Sequence, residues 1–97
     1  MRLEYHPSTV LDLKRAIKFY EDQRLGLGAE CRAEVYDAID GILRSPKYHR
    51  ILEGDIRRCF VRRFPFSILY RVIDDEVIRV LVIRHHRQRS SYGQSRR

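Results

Sequence analysis

The apolar residues of this chain change period near its midpoint, and that change limits what the chain can fold into. In the first half they recur every three or four positions: Val10, Leu13, Ile17 and Tyr20 with Ala16 between them, then Cys31, Val35, Ala38, Ile39 and Ile42. That spacing places each set on one stripe of an α-helix. After a polar stretch from Lys47 to Asp55, the residues become β-branched and aromatic in three short runs, Ile56–Phe64, Phe66–Ile73 and Val77–His85. Such residues suit a pleated, half-buried strand. The punctuation agrees. Leu3 and Tyr5 share one face of a short strand that ends at Pro7, Ser8 or Thr9 is placed to cap a helix, Gly26-Leu27-Gly28 separates the two helices, and Ser45-Pro46 closes the second. Asp74-Asp75-Glu76 has the polarity and length of a hairpin turn. The resulting order is β-α-α-β-β-β. This is an α+β fold in which an N-terminal helical hairpin covers one face of a small antiparallel sheet and leaves the other face partly open. At 97 residues the chain fits one domain, residues 1–97. Its tail, Ser90–Arg97, lacks apolar periodicity and is expected to be held only through Tyr92.

Charge is as unevenly distributed as period. The formal net charge is +7, yet residues 1–55 hold 9 basic and 10 acidic side chains, whereas residues 56–97 hold 11 arginines, no lysine and three acids. The excess therefore lies on the strand-forming part. Guanidinium is a planar fork of donors that matches phosphate oxygens in pairs and does not deprotonate, so a sheet studded with it is suited to bind anions, phosphodiesters above all. No apolar run approaches the ~20 residues needed to span a bilayer, and Met1–Tyr5 contains no apolar signal core, so a cytoplasmic protein is expected. Cys31 and Cys59 lie in apolar patterns without Cys-x-x-Cys spacing, and are expected as buried, reduced thiols.

The densest chemistry closes the last run: Ile83-Arg84-His85-His86-Arg87-Gln88-Arg89. With regular alternation, Ile78, Val80, Val82, Arg84 and His86 share one face, while Val77, Arg79, Leu81, Ile83 and His85 share the other. An imidazole among guanidiniums loses proton affinity through like charge, which keeps it neutral and able to accept a proton. Adjacent histidines on opposite faces do not converge on a metal, and His6 and His49 add no ligand spacing. The chain has no glycine-rich phosphate loop, no Gly-x-Ser-x-Gly elbow and no paired carboxylates in an extended region.

These residues resemble the RelE/ParE superfamily of toxins from type II toxin–antitoxin pairs. The resemblance runs through Tyr5-His6-Pro7, Tyr20–Gly28, the block Ile56–Tyr70 containing Arg62-Arg63-Phe64-Pro65-Phe66-Ser67-Ile68-Leu69-Tyr70, and Val80–Arg87. It implies a small sheet packed on a helical hairpin, in accord with the order read from periodicity. It also implies a toxin, with a metal-independent, ribosome-dependent mRNA endonuclease as the first reading. In that reading His85 or His86 takes the 2′-hydroxyl proton, Arg87 with Arg63 or Arg58 stabilises the phosphate charge, and Tyr92 stacks on a base or protonates the leaving oxygen. Arg84 and Arg89 complete the phosphate-binding set. The superfamily also includes ParE-like inhibitors of DNA gyrase that catalyse nothing, and members reduced to antitoxin binding. Ser67 stands where the endonucleases carry an arginine, a departure that counts against cleavage. The partners implied are a cognate acidic antitoxin and either the ribosome with mRNA or gyrase. No membrane, metal or organic cofactor is implied.

Overall fold

The computed structural model describes Met1–Arg97. Strand β1 (Arg2–Tyr5) leads into helices α1 (Pro7–Glu21) and α2 (Leu27–Arg44), and these are followed by β2 (Ile51–Glu53), β3 (Ile56–Phe60), β4 (Phe66–Val72) and β5 (Val77–His85). The sheet order is β1-β5-β4-β3-β2. The expected α+β class and the helical hairpin are both present. The sheet, however, is mixed. The N-terminal strand lies parallel to β5, Arg2 opposite Val77 through Tyr5 opposite Val80, and all other pairs are antiparallel. The extra strand β2 falls in the stretch read as polar; its three residues are all exposed and its pairing with β3 slips in register, so no alternation announces it. The run expected to reach Phe64 stops pairing at Phe60. Asp74 makes the predicted hairpin by accepting hydrogen bonds at one carboxylate oxygen from the N–H groups of Glu76 (2.7 Å) and Val77 (2.9 Å).

Helix α1 is capped by neither Ser8 nor Thr9. The Nδ1 atom of His6 accepts from the Ser8 N–H at 3.1 Å, with Pro7 in the first turn where its missing donor costs nothing. This leaves Thr9 free to turn inward. β1 pairs with β5 only as far as Val80, so the edge of β5 beyond it needs other partners. α1 supplies them. Thr9 Oγ1 donates to the Leu81 carbonyl at 2.6 Å, and Asp12 Oδ2 accepts from the Ile83 N–H at 3.2 Å. The fully buried positions of α1 are therefore Thr9, Asp12, Ala16 and Tyr20, while Val10 is exposed and Leu13 and Ile17 are half-buried. In α2 the predicted stripe does face the sheet: Cys31, Val35, Ile39 and Ile42 are buried against Ile68, Tyr70, Ile78 and Val80. Both cysteines are free and buried, and burial pushes the Cys31 thiol up to about 11.

β5 does not alternate regularly. Leu69 pairs with Val82 and Tyr70 with Val80, so Leu81 is an extra residue in a bulge. Before the bulge Ile78 and Val80 face the helices; at it Leu81 and Val82 both join Ile56 and Leu69 on the opposite face; after it Ile83 returns to the helical side. The faces assigned from strict alternation are therefore reversed beyond Leu81. The face expected to be open carries that second apolar cluster, and the tail crosses it. Tyr92 packs on the cluster, and Gly93, at φ +74°, passes so close to Val82 that a Cβ would overlap the Val82 side chain. Arg97 offers its carbonyl to Arg79 at 2.8 Å, and Gln94 reaches Glu53.

Candidate functional site

The bulge decides where the histidines point. His85 falls on the helical side, edge-on to Phe66 with ring centroids 5.0 Å apart, and His86 falls on the tail side, edge-on to Phe60 at 5.8 Å. The two rings pack on different faces, yet both border one open pocket at the end of the strand, together with Tyr20, Pro65 and Arg87.

His85 borders a cavity of about 320 Å³ between α1 and the end of β5, whose floor is Ala16, Phe66 and Ile83 and whose rim includes Arg15, Phe19 and Arg87. Burial, and then the charges of Arg87 and His86, lower the proton affinity of His85 from its ordinary value of 6.5. Its Nδ1 accepts from the Arg87 N–H at 3.0 Å, which places the proton of the neutral ring on Nε2. Tyr92 also reaches this cavity, but its phenol donates to Asp12 Oδ1 at 2.7 Å. Asp12, whose side chain is only 2% exposed, additionally binds Arg96 at 2.6 Å. The acid at the base of the cavity is thereby fully engaged with the tail and with β5.

On the other face, Ser67 lies opposite Arg84 on β5 and opposite Phe60 on β3. Ser67 Oγ and His86 Nε2 are 3.1 Å apart. Arg84 is 9% exposed and donates to the Ser90 carbonyl, and Arg58 stacks over the Phe60 ring with its guanidinium carbon 4.8 Å from the centroid. Of the arginines expected to bind phosphate, Arg58 and Arg84 thus come together. Arg63 does not join them. It follows the end of β3 with φ +68° and reaches back to α2, to Glu30 at 2.8 Å and Glu34 at 3.4 Å. Arg89 is exposed in the turn that leads to the tail, where its carbonyl accepts from the Tyr92 N–H.

Apolar spacing along the first helix does not single out Asp12, Arg15 or Phe19, which the structure places in the lining of the cavity. The signal was available, since Asp12, Ala16 and Tyr20 are spaced four apart and share one face of the helix. No three His, Cys, Asp or Glu side chains gather as metal ligands, and no helix is long and apolar enough to cross a membrane.

The family model described as the ParE toxin of the type II toxin–antitoxin system parDE matches residues 3–90. The chain belongs to the ParE toxin family. Among solved structures it is similar to one described as the chromosomal ParDE TA system from P. aeruginosa. The TM-score is 0.73 at 18% identity, covering 88% of this chain and 95% of that one. That likeness speaks to the fold. No curated protein matches the chain. A RelE/ParE-superfamily type II toxin is therefore the identity the residues implied, and the family is the ParE branch.

Proposed function

We propose that this ParE-family chain is a toxin that inhibits DNA gyrase by occupying its surface, without bond cleavage, and that a cognate antitoxin neutralises it. The observation that carries the reading is the family match across residues 3–90, which names ParE rather than an endonuclease. The geometry supports it in two respects. The accepting nitrogen of His85 is already used by the Arg87 N–H, and the Tyr92 proton is committed to Asp12, so neither is free as the base or acid a nuclease needs. Ser67 supplies a hydroxyl where a cleaving relative would have a guanidinium.

The test is supercoiling by purified gyrase with and without the toxin, alongside primer extension on mRNA from cells expressing it. Lost supercoiling with intact mRNA is expected. Cuts within translated frames, with gyrase unaffected, would overturn the reading in favour of an mRNA endonuclease.

A further inference from the structure

The cavity between α1 and the end of β5 is given no task by the gyrase reading, and its walls divide by chemistry. Its depth is apolar: Ala16, Phe66 and Ile83 are each at most 5% exposed, and Phe19 stands beside them as a half-exposed wall. Its rim carries Arg15 and Arg87, both exposed, and neither guanidinium has an ion-pair or hydrogen-bond partner within the chain. Asp12, the one acid in the lining, is not available to them. It already accepts from the Ile83 N–H, from the Tyr92 phenol and from Arg96, whose charge it balances. The other polar groups of the rim also offer protons. His85 spends its Nδ1 on the Arg87 N–H and so carries a donor at Nε2, and Gln88 spends its amide oxygen on the His85 N–H at 2.8 Å, which leaves its amide NH2. The result is a cavity of about 320 Å³ with an apolar depth, a rim of donors and two uncompensated positive charges.

We infer that this cavity is a binding site for a small carboxylic acid with an apolar body, which lies against Ala16, Phe66 and Ile83 and leaves its carboxylate at the rim with Arg15 and Arg87. Size and polarity both point that way. An apolar cavity of ~150 Å³ takes a benzene molecule, so about twice that volume takes a phenyl ring with a short chain, roughly a dozen heavy atoms. Small-molecule sites have this make-up, mostly apolar with a few placed polar groups that fix orientation. A carboxylate is the matching head group, because guanidinium presents paired donors to its two oxygens and the lining holds no free acid to repel it. Inorganic phosphate or a longer polyanion would use the rim and leave the apolar depth to water. The site stands independently of the gyrase reading: either can fail while the other holds.

The test is calorimetric titration of the full-length toxin with 4-phenylbutyrate, an acid of that size, at fixed pH and ionic strength. Saturable binding of one ligand per chain is expected, with shifts in the Ile83 methyl and His85 ring resonances that place the ligand in the cavity. Arg15→Gln and Arg87→Gln alter exposed side chains and should each weaken binding about fivefold or more. Arg32→Gln removes the same charge from α2, outside the cavity, and should change affinity less than about twofold. Butyrate keeps the charge without the ring, 4-phenylbutanamide keeps the ring without the charge, and each should bind at least about tenfold more weakly. If butyrate or inorganic phosphate binds as well as phenylbutyrate, or Arg32→Gln loses as much as Arg15→Gln, the attraction of anions is diffuse and the site is overturned. An amide that binds as well as the acid, or the absence of saturable heat at millimolar ligand, overturns it too. If a capped peptide of glutamate and phenylalanine binds Arg15-dependently while phenylbutyrate does not, the cavity is a docking surface for a protein and the inference is wrong.

Discussion

Asp12 is the residue on which the largest number of separate elements depend. Its two oxygens accept from the backbone of β5, from Tyr92 and from Arg96, so one carboxylate ties α1, the sheet edge and the tail. Asp12→Ala would leave the mostly buried Arg96 guanidinium without its counter-charge, and removing one partner of such a pair costs ~3–5 kcal/mol. Urea unfolding of the variant should show that loss; a change under ~1 kcal/mol would mean that the tail carries little of the fold. His85 links stability to pH with a definite sign. Its affinity for protons is lowered in the folded state, so the unfolded chain binds the proton more readily. Its contribution is complete above the ordinary value of 6.5 and is lost as pH falls below it, until the folded-state value is passed. His49 is lowered in the same direction by burial and Arg57. Stability should therefore decline from about pH 7 toward acid, and His85→Gln should remove part of that slope in pH-dependent melts; an unchanged slope would assign all of it to other groups.

At the scale of elements, the join between the helices is a close approach of backbone to backbone. A Cβ on Gly28 would sit 2.7 Å from the Ile17 carbonyl oxygen, a backbone atom that cannot swing away. Gly28→Ala should therefore force α1 and α2 apart and cost ~1–3 kcal/mol by overpacking. Ile39→Ala, in the stripe that meets Ile68 and Val80, should cost ~2–5 kcal/mol by leaving a cavity. Chemical denaturation measures both, and near-parental stability would place either residue outside the packed core. α2 was legible because its side chains obey one period from end to end, and the bounds of β5, Val77–His85, were legible because a β-branched apolar run starts after the acidic turn and ends at the histidines. α1 was only half legible. Its inward face uses Thr9 and Asp12 to bond a bare strand edge, and hydrophobic spacing cannot report a polar side chain that is buried because it has found a partner. The Leu81 bulge was not legible, since Val80-Leu81-Val82-Ile83 is uniformly apolar and any phase fits it. That single inserted residue is why His85 lies beside Phe66 and the α1 cavity, and it separates the candidate residues into two groups.

For the molecule as a whole, the end of the chain closes over its beginning. Arg96 meets Asp12 across 84 positions, Tyr92 lies on Ile56, Leu69, Leu81 and Val82, and Gly93 follows Val82 at a distance only glycine permits. Without the tail, the sheet would present that apolar cluster to water on the face opposite the helices, and Asp12 would lose two of its donors. Contiguous exposed apolar surface of this kind drives association or aggregation. A chain ending after Ser91 should therefore melt well below the parent, bind a hydrophobic dye and sediment as more than a monomer. Gly93→Ala should move partway in the same direction, because the left-handed backbone and the clash with Val82 both act at that one position. Arg97→Ala serves as the control: its carbonyl contact to Arg79 is made by the backbone and survives the substitution, so the variant should melt like the parent. If the truncated chain stays monomeric and melts like the parent, the tail is a passenger on the sheet; the Asp12 contacts argue that it is part of the fold.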